Sequence, residues 1–286
     1  MFTGSFEAGI YLLSAICAVP GHLHVLPVIN TNFAHHIAAG LEDGTVIVGQ
    51  NNISHPSLPT HAVPTPAAPH GDRAGVEDAN GPGTLPTLSQ PAMAFSKEHG
   101  EDLPSRIARL WYINPYGQRI TIPANPRVLD ALAGASCVIY SIGSLFTSII
   151  PSLVLGGVGA AVANPAIRSK ILILNGTLDR ETGPSTNPFT ALDFVAAIAG
   201  ACAESRGLGV KVERQDYWSY VTHVIYLDSE HGPKVDREVL AGCGIECLRV
   251  YGRGGGRYDD VALRQALEAV VGRKGLGVTR RNTLVG

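Results

Sequence analysis

Several things are scarce in this chain, and each scarcity closes off a class of protein. Charged residues are only 16% of the 286 and the net charge is −2, which gives no reason to expect nucleic acid, a ligand that needs a basic face. The five cysteines (Cys17, Cys137, Cys202, Cys243 and Cys247) are an odd number with no framework spacing. They read as reduced thiols of a cytoplasmic protein rather than as disulfides. Cys243 and Cys247 form C-x-x-x-C without a second Cys or His pair, which makes two small buried hydrophobes, not a metal site. No apolar run is long enough to span a membrane as a helix. Ala8 to Val19 is the nearest approach, but Glu7 precedes it and no Lys or Arg does. That is the wrong sign for a signal peptide, and the run reads as a buried helix. There is no G-x-S-x-G elbow and no H-E-x-x-H, so serine-hydrolase and zinc-protease chemistry have no support.

Apolar residues make up 45% of the chain, enough for a large core. His55 to Pro104 stands apart, holding nine of the 19 prolines and few large apolar residues. Such a stretch cannot offset its ordering entropy and reads as a disordered insertion. It separates an N-terminal part (1–54) from the remainder (105–272), with a tail at 273–286. The histidines within it follow no metal-ligand spacing.

In the N-terminal part, His22 to Asn30 reads as a strand. Ile37 to Leu41 and Thr45 to Val48 flank Glu42-Asp43-Gly44, a hairpin signal because Gly accepts the turn's positive φ. From Arg106 onward strands and helices alternate. Strand candidates are Arg106–Ile113, Ser136–Gly143, Lys170–Asn175, Thr222–Asp228 and Ile245–Val250. Helix candidates are Arg127–Ala133, a segment running from Ser144 toward Val162, Thr190–Ser205, Asp236–Leu240 and Asp259–Val271. Thr190 and Asp193 resemble a capping box. The fold class is therefore α/β: a Rossmann-like, mostly parallel sheet with helices on both faces, Ser136–Gly143 a central strand, and a β-hairpin near the N-terminus. Ligands of such sheets bind beyond the carboxyl ends of the strands. Three polar clusters fall there: Gly143–Ser148, Asn175–Thr190 and Asp228–His231.

The first cluster carries the most information. An apolar run stops at Gly143, and Ser144, Thr147 and Ser148 follow at once. Glycine admits close approach, and helix-start N–H groups with nearby hydroxyls can cradle a phosphate. The plain alternative is a strand–turn–helix joint with Ser as N-cap. In the second cluster Asn175 could bond a base or sugar, Arg180 a phosphate, and Asp179 or Glu181 a Mg²⁺-bound water or a proton. A solvated loop is the alternative. Asn30 and Asn32 at a strand end are weaker ligand candidates, and an exposed hairpin tip accounts for Glu42 and Asp43. Asp228, Glu230 and His231 could hold a metal or move a proton, with a surface loop as the preferred reading. Gly252–Arg257 (G-R-G-G-G-R) matches no nucleotide-binding pattern and reads as a flexible connector.

The wording of these stretches resembles the CofD-like family, which includes 2-phospho-L-lactate transferases and YvcK-type gluconeogenesis-associated proteins. I-G-S-L-F-T-S-I-I-P-S-L from Ile142 is similar to that family's I-G-P-G-S-L-Y-T-S-I-I-P-N-L. Val25–Asn32, Leu41–Ser54, Ala124–Leu132, Ile173–Thr182 and the terminal R-R-N-T-L also resemble it, and Tyr140-Ser141-Ile142-Gly143 is similar to the fungal branch. The family's opening strand and G-G-G-T-G-type loop have no counterpart, so the chain looks like a member lacking its N-terminal portion. The resemblance implies a transferase moving a phospholactyl group from a guanosine diphosphate-linked donor to a hydroxyl acceptor with Mg²⁺. It places Gly143, Ser144, Thr147 and Ser148 in the nucleotide-diphosphate site, with Asn175–Thr182 on the same rim. A nucleotide-sugar-binding regulator without catalysis is the alternative it carries. The expected partner is a nucleotide-diphosphate-linked small molecule, with no nucleic acid or membrane partner; a homo-oligomer is left open.

Overall fold

The computed structural model describes residues 5–31, 33–54 and 102–272; the insertion at 55–101, the tail at 273–286 and Asn32 lie outside the described residues. Two four-stranded sheets organise the chain. The first is antiparallel, in the order β2-β1-β3-β4: β1 (His36–Leu41), β2 (Val46–Val48), β3 (Ile107–Ile113) and β4 (Arg119–Ile120). The expected hairpin joins β1 to β2, with Ala38 opposite Val48, and Asp43 Oδ1 accepts the Thr45 N–H at 2.8 Å. The second sheet is fully parallel in the order β5-β6-β7-β8: β5 (Cys137–Tyr140), β6 (Ser169–Ile173), β7 (His223–Leu227) and β8 (Glu246–Val250).

Helices cover both faces of the parallel sheet, as its apolar runs require. Alternate residues choose the face. Leu172, Val224 and Tyr226 join the larger core with Phe194, Ile198 and Cys202 of α6 (Ala191–Ser205). Ile171, Ile173 and Ile225 face α8 (Asp260–Gly272), packing with Val270. The larger core also takes in Leu41, Ile107 and Leu110 of the antiparallel sheet. The remaining helices are α1 (Phe6–Ile16), α2 (Gln50–Ser54), α3 (Pro126–Ala133), α4 (Ile150–Leu153), α5 (Val158–Val162) and α7 (Arg237–Gly242).

Local chemistry explains several of their ends. Asn125 caps α3, accepting from Arg127 N–H, with Pro126 in the first turn; Asp236 caps α7 through Glu238 and Val239 N–H. At α6 the Asp193 carboxylate accepts both the N–H and the hydroxyl of Thr190, each at 2.7 Å. Asp193 is also gripped by both terminal nitrogens of Arg106 at 3.2 Å, which ties the start of β3 to this helix.

Five expectations need correction. His22–Asn30 is not a strand; Pro27 lacks an N–H, and the Pro27 and Val28 carbonyls accept from Asn125 instead of a sheet neighbour. The Ser136–Gly143 strand is shorter and lies at the sheet edge, where Ile139 stays 45% exposed. The helix after it is broken: a π turn (Leu145–Ile149) leads into α4, and Gly157 at φ 94° separates α4 from α5. The break arises because Gly156 exchanges backbone hydrogen bonds with Ile122 and Ala124. Helix α1 forms, but none of its residues is buried, and Tyr11 and Ile16 are 76% and 72% exposed. Finally, residues 102–104 belong to the fold, since Leu103 is buried and Asp102 accepts from Ser185.

Candidate functional site

Beyond β5 the chain turns at Gly143, where an added Cβ would stand 3.2 Å from the Ser148 Cβ. The helix start that follows already holds an anion, and the chain supplies it. Glu181 Oε2 accepts from Phe146 N–H at 2.8 Å and Thr147 N–H at 3.0 Å, while Oε1 accepts the Thr147 hydroxyl at 2.5 Å. Glu181 is buried, and burial raises its carboxyl above the usual range even against these three donors. Two of the donors expected for a phosphate are therefore engaged, and both Glu181 oxygens already accept hydrogen bonds. Ser144 is half-buried and Ser148 exposed beside them.

The loop after β6 is equally committed. Asp179 Oδ1 accepts both the N–H and the hydroxyl of Thr182, closing a short 3-10 turn at Arg180–Thr182; its Oδ2 has no hydrogen bond among the described residues. Arg180 Nη1 donates to the Asn52 and Ile53 carbonyls at 2.8 and 2.7 Å, the free end of α2. Asn175 is half-buried, and its side chain has no hydrogen-bond partner among the described residues. Asn30 is exposed in the segment before β1, and Glu42 and Asp43 stand at the hairpin tip.

Between the loops that follow β6 and β7 lies an open cleft of about 1210 Å³. Asp179 and Arg180 line one side, and Asp228, Glu230, His231 and Lys234 the other. The loops are tied together, since Leu178 N–H donates to the His231 carbonyl at 2.8 Å. Asp102 reaches the cleft as well, its carboxyl held below the usual range by the Ser185 hydroxyl and N–H. The cleft thus brings together Asp179, Arg180, Asp228, Glu230 and His231. Gly143, Ser144, Thr147, Ser148 and Asn175 lie outside its lining. Lys234 and Asp102 are residues that sequence reasoning missed. Lys234 follows the Asp228–His231 cluster by three positions, and extending that cluster would have found it.

The Gly252–Arg257 segment is a built hairpin rather than a flexible connector. Gly252 pairs with Tyr258, Arg253 N–H bonds the Arg257 carbonyl, and the Arg253 side chain pairs with Asp259 and Asp260. The Tyr258 hydroxyl donates to the Leu174 carbonyl at 2.7 Å, pinning the hairpin to the end of β6. No group of three His, Cys, Asp or Glu among the described residues is arranged to hold a metal ion. No described helix is long and apolar enough to cross a membrane.

A parallel sheet with helices on both faces and a ligand-sized cleft beyond its strand ends defines a Rossmann-like α/β protein. A family model described as 2-phospho-L-lactate transferase CofD matches residues 1–241, and the chain belongs to that family. The chain is similar to "Uncharacterized protein YNL011C" of Saccharomyces cerevisiae, 31% identical over 303 residues. That match covers 96% of this chain and 66% of the yeast protein. The fold is that of protein BH3568 from Bacillus halodurans, seen in two structures, one described as a member of the UPF0052 family. Their TM-scores are 0.59 and 0.58 at 18% and 19% identity, covering 93% of this chain and 68% of theirs.

Proposed function

We propose that this chain carries out phosphoryl-group transfer of the 2-phospho-L-lactate transferase type. A phospholactyl group would move from a guanosine diphosphate-linked donor to a hydroxyl acceptor. The family match over residues 1–241 carries this reading, and a ligand-sized cleft between the β6 and β7 loops supports it. The acceptor oxygen attacks the phosphorus of the donor, the bond from that phosphorus to the bridging oxygen breaks, and GMP leaves. Catalysis of this kind rests on positioning and charge neutralisation. Lys234 and Arg180 supply positive charge to the cleft, and Glu230 or His231 accepts the proton of the attacking hydroxyl.

The donor set fits Mg²⁺ only in part. Glu181 fits less well, since both its oxygens already accept hydrogen bonds from the helix start after β5. Asp179 fits through Oδ2 and would hold the ion jointly with ligand phosphates, the usual arrangement for this cation. Bound there, Mg²⁺ would neutralise charge developing on the transferred group.

Thermal unfolding of the whole chain with GDP, GMP, UDP and UDP-sugars, each with and without Mg²⁺, tests the reading. A ligand at a hundredfold excess over its Kd stabilises the native state by about 2.7 kcal/mol. A guanine-selective rise in Tm that Lys234→Ala abolishes supports the transferase. A uridine-selective rise moves the assignment to a nucleotide-sugar-binding regulator. No rise with any of them defeats both.

A further inference from the structure

A second compartment lies on the same rim, beyond the ends of β7 and β8. Its volume is about 360 Å³, and Arg249, Arg257 and Gly254–Gly256 form its polar lining together with Asp228 and Ser229. It adjoins the larger cleft, since Asp228 and Ser229 line both. The family match ends at residue 241, so these arginines and glycines fall beyond it.

Three observations set its chemistry. First, Gly254, Gly255 and Gly256 are consecutive residues with positive φ (88°, 59° and 71°). Their three N–H groups donate to no acceptor among the described residues. Successive unpaired amides of this kind form a concave anion site. Second, a Cβ on Gly254 or Gly255 would meet nothing within 4 Å. The space before these amides is open, and packing alone does not demand glycine there. Third, the charges are apportioned in favour of an anion. Asp228 Oδ2 is paired with Arg249 at 3.0 Å. Arg253 neutralises Asp259 and Asp260, and none of these three lines the compartment. The exposed Arg257 guanidinium has no ion-pair or hydrogen-bond partner among the described residues, which leaves one uncompensated cation in the same lining as the three amides.

We infer that this compartment binds the phosphate group of a small phosphorylated molecule, with Arg257 and the Gly254–Gly256 amides as its ligands. It is distinct from the helix start after β5. Three strand spacings, about 14 Å, separate β5 from β8, too far for one phosphate to touch both.

Calorimetric titration of the full chain with inorganic pyrophosphate at low ionic strength tests the inference. Wild type should bind, and Arg257→Ala should weaken binding about tenfold or more, as expected for a lost charge-assisted contact. Gly255→Asp places a carboxylate before the amides at a φ that Asp tolerates, and should weaken binding at least as much. Gly255→Asn, of the same shape without the charge, should stay within about threefold, which isolates charge as the cause. Wild-type melting temperatures in the two Gly255 variants confirm the fold. Competition between pyrophosphate and GDP identifies the phosphate as the donor nucleotide's own; additive stabilisation identifies a separate phosphorylated ligand. Absence of pyrophosphate binding, unchanged binding by Arg257→Ala, or equal losses in the Asp and Asn variants would overturn the inference. Where GDP competes with pyrophosphate, GDP binding that survives Arg257→Ala unchanged overturns it while leaving the proposed function intact. Pyrophosphate binding without any response to GDP does the reverse.

Discussion

The carboxylate of Glu181 sits on the backbone of Thr147, accepting its N–H at 3.0 Å and its hydroxyl from the same residue. A helix start that would otherwise present free donors to solvent is thereby closed from within. The two loops that follow β5 and β6 are joined by this one side chain.

Glu181→Ala should cost about 3 kcal/mol, because two backbone donors and a hydroxyl lose their partner in a buried setting. Glu181→Gln should lose less, and its pH dependence should differ from wild type. The folded-state pKa of Glu181 is raised by burial. Its contribution is therefore present below the unfolded value and lost as pH rises through the folded one. Urea denaturation across mildly acidic pH should show that slope in the difference between wild type and Glu181→Gln.

His35 and His36 bring the opposite dependence. Their Nε2 atoms are buried without hydrogen-bond partners among the described residues, and burial lowers both pKa values from 6.5. For such groups stability is complete above the unfolded value and declines as pH falls, since only the unfolded chain takes up the proton readily. Urea midpoints measured between about pH 5 and 8 should fall toward the acid end. His36→Leu should flatten the decline; an unchanged profile in that variant would remove His36 from the explanation.

Gly176→Ala should be severe. An added Cβ would stand 1.9 Å from the Gly256 carbonyl oxygen, and neither backbone can yield without shifting its strand end. A loss of about 3 kcal/mol or more is expected from such overpacking. Gly242→Ala, where a Cβ meets nothing within 4 Å, should be neutral or stabilise by about 0.5–1 kcal/mol, given its place in a helix. Differential scanning calorimetry of the pair checks both.

Arg106→Lys should behave almost as Arg106→Ala. The guanidinium reaches both oxygens of Asp193, the Asn187 and Pro188 carbonyls, and the Phe189 ring at 4.8 Å. A lysine ammonium cannot reproduce that fork. A thermal melt of both variants showing full recovery by lysine would mean that charge alone matters.

The alternation of strands and helices was legible because each strand of the parallel sheet is a short, nearly continuous apolar run between turn residues. Asp43-Gly44 was legible because its chemistry is local. Long-range commitments were not. Glu181 looked available to a ligand because its partners lie 34 and 35 positions away. Arg180 looked like a phosphate ligand although it closes α2 from 127 and 128 positions away. The edge position of β5 was hidden for a related reason, since an apolar run reads alike at the centre and at the margin of a sheet. The phosphate-site residues drawn from Gly143–Ser148 and Asn175 now rest on the family resemblance. The cleft residues Asp179, Arg180, Asp228, Glu230 and His231 have a shared geometry as well.

The seam of glycines at the rim bears on how this protein could acquire a new specificity. Gly176 abuts Gly256, and an added Cβ on Gly232 would stand 3.2 Å from the Gly176 carbonyl oxygen. The loops after β6, β7 and β8 therefore share one line of backbone contact. Lengthening any of them by a residue would pull that contact out of register. A hairpin tip such as Gly44, with nothing within 4 Å, has no such restriction. Changes in what this rim recognises should come through exchanged side chains, and length variation should collect at the antiparallel sheet's turns.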